Sequence, residues 1–87
     1  MVKLAKDMVQ ARLDSWASTK EYDGIMSACT YVSSTNPTRA AEGLKACVNR
    51  DLSWDAMYAY IEKVQTKVKP VPLKVEEIVA ELPELAW

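Results

Sequence analysis

Two pairs of carboxylates are the residues in this 87-residue chain whose spacing most resembles a catalytic pair. Asp51 and Asp55, and likewise Glu77 and Glu81, are four residues apart, which places each pair on one face of a helix. Such a pair works as general acid and base only where a cleft raises the pKa of one member, and the same spacing is common on solvated helices. We therefore expect both pairs to lie in solvent.

The two cysteines could supply a nucleophile, a metal ligand or a disulfide. The chain has no histidine, so a cysteine nucleophile lacks its usual base and the pair falls short of a zinc ligand set. Cys29 and Cys47 follow Ala28 and Ala46 at apolar-periodic positions, where a reduced cysteine packs as a small hydrophobic residue. We expect two reduced core cysteines, no catalytic residue, no metal and no cofactor, with a Cys29–Cys47 bridge as the alternative.

The composition also argues against several classes of ligand. Two glycines leave no phosphate-binding loop, and a formal charge of −1 is unlike the basic surface of nucleic-acid-binding proteins. Trp16, Trp54 and Tyr58 could stack on bases, but their helical spacing favours core packing. No apolar run is long enough to span a bilayer. We expect no nucleic acid, no membrane and no small-molecule substrate as partner.

The apolar pattern predicts an all-α fold, a small helical bundle with one long central helix. Val2, Ala5, Val9, Leu13 and Trp16 recur at spacings of three and four, typical of an amphipathic helix of four to five turns. A second, short helix is indicated by four apolar residues and ends by residues 33–35. These four residues are Ile25, Met26, Cys29 and Val32. Asp23 is the expected cap of this second helix.

The long helix has the clearest start signal in the chain. Asn36-Pro37 combines a capping asparagine with proline at the first helical position, where its missing NH costs nothing. Its expected apolar face consists of Ala40, Leu44, Cys47, Trp54, Tyr58, Ile61 and Val68, with Ala41, Val48, Leu52, Met57 and Val64 beside them. One continuous helix of about 30 residues is favoured, and an interruption at residues 49–53 is the alternative.

Two prolines divide the chain into a helical bundle, residues 1–69, and a C-terminal segment, residues 70–87. Pro70 and Pro72 deny a helix its donors, so the long helix must end at residues 69–72. Val75, Ile78, Val79 and Leu82 then predict a short helix.

The C-terminal segment carries apolar side chains that we expect to be buried against the bundle or against another subunit. Burying a Trp removes roughly 200 Å2 of surface from water, and a core of 87 residues is thin. The segment either folds back over the bundle or docks as an arm on another subunit. The candidate protein-binding residues are Leu73, Ile78, Leu82, Leu85 and Trp87.

Charged residues form two blocks beside this segment, a positive block of Lys63, Lys67, Lys69 and Lys74 and a negative one of Glu76, Glu77, Glu81 and Glu84. They fit either solvated helix ends or the matching of opposite charges on neighbouring subunits.

Several separated motifs, in order along residues 9–87, resemble a family of small proteins of tailed bacteriophages. These motifs are Trp16-Ala17-Ser18-Thr19, Tyr22-Asp23-Gly24-Ile25, Ser27-Ala28-Cys29-Thr30-Tyr31, Ala41-Glu42-Gly43, Arg50-Asp51 with Trp54 and Tyr58, and Ala80-Glu81-Leu82-Pro83 with Leu85 and Trp87. Leu73-Lys74 departs from the Ser or Thr cap expected before the last helix, which puts the start of that helix in doubt.

The resemblance implies a virion or tail-assembly role without an assigned reaction. We expect a non-enzymatic structural or adaptor subunit that binds other phage structural proteins, or further copies of itself. The implied localisation is synthesis in the cytoplasm of the host bacterium followed by incorporation into the virion. A tail or tail-fibre assembly chaperone absent from the mature virion is the alternative, and a regulator of a host enzyme is a third class.

Overall fold

The computed structural model describes residues 2–68, 71–72 and 75–87, apart from the side chains of Val2 and Val75. Its four α-helices are α1 (Val2–Ser18), α2 (Ile25–Thr30), α3 (Pro37–Gln65) and α4 (Val75–Val79), with a 3-10 turn at Tyr31–Ser33. No strand occurs in these described ranges. The predicted all-α class, the long central helix and the short C-terminal helix are confirmed. Leu73 and Lys74, where the start of the last helix was in doubt, lie outside the described residues.

Helix α1 buries one narrow stripe of its surface. Ala5, Val9 and Leu13, three residues of the predicted stripe, are completely buried, and so is Ala17, which the predicted stripe did not include. Leu4, which the sequence pattern places beside this stripe, is 56% exposed. Trp16, which belongs to the predicted stripe, is partly buried and packs against the core.

Helix α2 is capped by a residue of another helix. Asp14 Oδ1 accepts a hydrogen bond of 2.9 Å from the backbone NH of Ile25, while Gln10 Nε2 donates to both oxygens of Asp14. Gly24 occupies the N-cap position, and no side chain at that position makes a capping bond. The prediction that Asp23 caps this helix is wrong, because a carboxylate held on α1 takes that place.

Helix α3 begins and continues as the sequence predicts. Asn36 accepts hydrogen bonds from the backbone NH groups of Thr38 and Arg39, at 3.0 and 3.3 Å, with Pro37 in the first turn. The helix runs without interruption through residues 49–53, so the continuous reading is correct.

The far end of α3 lies before the prolines that were expected to end it. Helix α3 ends at Gln65, and Lys67 follows with φ 64°. Val68 N donates to Lys63 O and Lys67 N donates to Val64 O, the paired bonds of a Schellman motif. Lys67 occupies the left-handed position of this motif. A glycine at that position would have indicated the motif in the sequence.

The buried face of α3 differs from the predicted one. Its N-terminal half presents Gly43 and Ala46 to the interior, and its C-terminal half presents Ser53, Met57, Tyr60, Ile61 and Val64. A hydrophobicity pattern does not select glycine, alanine and serine, yet their small size allows close packing. Leu44, Val48, Leu52 and Tyr58, predicted on the apolar face, are all about half exposed instead.

Gly43 marks a close approach between α3 and the 3-10 turn. A Cβ atom added at this glycine would lie 2.4 Å from Val32 N and 2.6 Å from Tyr31 C. Both are backbone atoms of the 3-10 turn, so the turn rests directly on the backbone of α3. The glycine is therefore required by this contact, although its helical φ would suit any residue.

Candidate protein-binding surfaces

Residues 75–87, called the C-terminal arm below, fold back over α1 and α3. The indole ring of Trp87 stacks on that of Trp16, with ring centroids 4.0 Å apart and planes inclined by 14°. Its Nε1 donates a hydrogen bond of 3.0 Å to Thr19 Oγ1, and the ring of Tyr22 lies 6.2 Å away. Trp87 thus closes an aromatic cluster at the C-terminal end of α1.

Polar side chains hold the backbone of the arm in place. Asn49 Nδ2 donates to Ala86 O at 3.2 Å, and Asn49 Oδ1 accepts from Ala86 N at 3.4 Å. Arg12 Nη2 donates to Pro83 O at 2.9 Å, and Lys45 Nζ donates to Trp87 O. These contacts recognise the main chain of the arm, so they fix its path without depending on its side chains.

The candidate binding residues in the arm are brought together, but against their own chain. Ile78 is only 2% exposed, and Leu82, Leu85 and Trp87 are partly buried against the core. Leu73, the fifth candidate, lies outside the described residues. Of the two alternatives left open by the sequence, the structure shows the folded-back arm. Ile78 is therefore inaccessible to a partner in this arrangement, while the other three retain some exposed surface.

Sequence reasoning missed the residues that hold the arm. In the sequence Asn49 belongs only to the possible interruption of α3 at residues 49–53, whereas in the structure its amide binds the arm's main chain. Arg12 and Thr19 belong to the polar surface of α1 in the sequence pattern. No local signal distinguishes such residues from solvated ones, since their partners are between 37 and 71 residues away along the chain.

The candidate catalytic residues do not form a site. Asp55 is exposed, and Asp51 is exposed and accepts two hydrogen bonds from Arg50. Glu77 is also exposed and Glu81 is partly buried. Within the described ranges, no three histidine, cysteine or acidic residues are placed to hold a metal ion.

The cysteines are free thiols on facing helices. Cys29 is buried, and Cys47 Sγ donates to its carbonyl oxygen at 3.8 Å. Burial, followed by a hydrogen bond with Cys47, raises the pKa of the Cys29 thiol to about 11. At neutral pH this group is therefore held as an unreactive thiol.

This pKa predicts the pH dependence of alkylation. In a Cys47→Ala variant, burial still raises the pKa of Cys29, so the rate at which iodoacetamide modifies Cys29 in the folded chain should stay low at pH 8 and rise only at a more alkaline pH than in the unfolded chain. The same protein unfolded in urea should react readily near the ordinary thiol pKa of about 8.5. Mass spectrometry of the adduct measures both rates, and equal pH profiles for folded and unfolded chains would contradict the buried thiol.

The positive charge block precedes the arm, and the negative block lies within it. Lys63, Lys67, Glu76 and Glu84 are exposed, whereas Lys69 and Lys74 lie outside the described residues. Solvated side chains fit either of the two interpretations drawn from the sequence.

Apolar side chains also remain exposed on the outer side of α3. Leu44, Val48 and Leu52, called the outer ridge below, are 55%, 47% and 52% exposed. They are four residues apart and so form one continuous row, opposite the face that packs against α1. The sequence places these residues on the helix but does not reveal that they face outward.

Comparison with known proteins yields no relative for this chain, as no family model, curated protein or solved structure matches it. No helix in the described part of the chain is long and apolar enough to cross a membrane.

Proposed function

We propose that this chain is a non-enzymatic structural or adaptor subunit of a tailed bacteriophage particle. It binds neighbouring virion proteins, those of the phage tail foremost, through the outer face of α3 and the exposed edge of the C-terminal arm. The resemblance of the sequence motifs to small phage proteins supports placing the chain in a phage particle, and its exposed apolar surface supports a role in binding other proteins.

The outer ridge is the observation that carries the proposal. Single exposed apolar residues are normal on protein surfaces, whereas a contiguous row marks a place where another molecule binds. Leu44, Val48 and Leu52 form such a row on the longest and best-anchored element of the fold. Burying them against a neighbour removes apolar surface from water, which favours association.

The arm contributes a second contact region in its folded-back form. Leu82, Leu85 and Trp87 each keep part of their surface in solvent, beside the exposed carboxylate of Glu84. A neighbouring subunit that packs over this edge would extend the core without displacing Ile78. The exposed charges then select the orientation of that neighbour.

Mass spectrometry of purified particles tests this proposal. A structural subunit should be found in particles at a fixed ratio to the other virion proteins, and it should remain after a high-salt wash. The assembly chaperone, the alternative function, would instead be abundant in infected cells and missing from particles. That second result would overturn the structural role and leave protein binding intact.

A further inference from the structure

The outer ridge has opposite charges on its two flanks. Lys45 precedes Val48 by three residues and Asp51 follows it by three, so helical geometry places them on opposite sides of the row. Because a row of residues four apart is inclined by about 26° to the helix axis, the two charges lie only about 4 Å apart along the row, an offset that a lysine side chain can span. Both side chains are exposed.

A two-fold axis parallel to the ridge would make this surface complementary to itself. Rotation about this axis leaves each residue at the same position along the row and moves the residues on one side of the row to the other side. Lys45 of one copy then faces Asp51 of the other, and the contact occurs twice. Two rows inclined by about 26° and aligned in this way make the helices cross at about 50°, the commonest class of helix packing.

We infer that a second copy of this chain covers the outer ridge, in a symmetric dimer built on α3. This inference rests on the proposed function, since it names the occupant of the same apolar row. A second copy is favoured over an unrelated protein because the ridge itself carries the positive and negative flanks that the symmetric contact requires.

The present partners of the two charges do not oppose this arrangement. Lys45 contacts Trp87 O, and Asp51 pairs with Arg50 across a distance of 2.9 Å on the surface. Because Asn49 and Arg12 also bind the main chain of the arm, Lys45 can turn toward a second copy without releasing the arm. The exposed pair of Asp51 with Arg50 contributes little to stability, so Asp51 can turn as well.

Sedimentation equilibrium of the purified chain tests the dimer. The wild-type chain should associate reversibly to a dimer, and Leu44→Glu should weaken association more than about tenfold with unchanged helicity. Leu4→Glu is the matched control, because it makes the same substitution on α1 at 56% exposure, against 55% for Leu44. The control should associate as the wild type does.

Charge reversal tests the two-fold arrangement itself. Lys45→Asp and Asp51→Lys should each weaken association about tenfold, and the double variant, which restores opposite charges across the axis, should recover most of the affinity. The rescue is independent of folding defects in either single variant. A double variant that associates no better than the single variants would overturn the inference.

Different results would contradict the proposed dimer and the proposed structural role in the particle. A wild-type chain that stays monomeric at concentrations up to about 1 mM would overturn the dimer and leave the particle inventory unaffected. A dimeric chain missing from particles would overturn the structural role alone.

Discussion

Replacing Gly43 by alanine should lower the free energy of unfolding by about 2 kcal/mol. The added Cβ would lie 2.4 Å from Val32 N and 2.9 Å from Val32 Cα, so the backbone of the 3-10 turn must move. Alanine favours a helix over glycine by about 1 kcal/mol, and the expected loss is what remains after this gain. Urea unfolding followed by circular dichroism measures the difference.

Gly24→Ala provides the control for this substitution. The Cβ added there would meet only the side chain of Asp14, with Oδ1 at 2.9 Å, so this carboxylate must shift and its capping bond to Ile25 N lengthens, while the backbone stays in place. We expect a loss of less than about 1 kcal/mol at this position. If Gly43→Ala is as stable as the wild type, the turn does not rest on α3 as described.

Replacing Trp87 by alanine should lower the free energy of unfolding by about 2 to 3 kcal/mol, below the range for a fully buried tryptophan because the ring is only partly buried. The substitution removes the stack on Trp16 and the hydrogen bond to Thr19. It also uncovers apolar surface of α1. The measurement is again urea unfolding, with Met26→Ala, at a position 64% exposed, as a control of small effect.

A double-mutant cycle separates the stacking contact from general loss of packing. Trp16→Leu and Trp87→Leu, alone and together, should show a coupling energy of about 1 kcal/mol, typical of paired aromatic rings. An arm that leaves the bundle in solution would give no coupling, and Trp87→Ala would then cost almost nothing. This outcome would restore the alternative in which the arm docks on another subunit.

Features that depend on neighbours along the chain were predictable. The Asn36-Pro37 start of α3 needs only side chains within three residues, and the buried stripe of α1 follows from helical periodicity alone. The continuity of α3 through residues 49–53 follows from the same periodicity. These elements sufficed for the fold class.

Features that depend on distant partners were not predictable. Asp14 caps α2 from another helix, and Asn49 binds the backbone of Ala86, 37 residues away. Leu44, Val48 and Leu52 face outward because small residues occupy the buried face of α3. A pattern of apolar residues does not identify such small residues as buried. The sequence therefore indicated which residues could form binding surfaces, but not which of those residues are exposed to solvent in the folded chain.

Site-specific photo-crosslinking in infected cells tests most directly whether this chain works by burying apolar surface against other subunits. A photoreactive amino acid would replace Val48 on the outer ridge, with Ala11, exposed on α1, as the control position. The account predicts adducts from position 48 with a second copy or with a protein also present in purified particles, and few from position 11. Position 48 yielding only uncrosslinked monomer would contradict it.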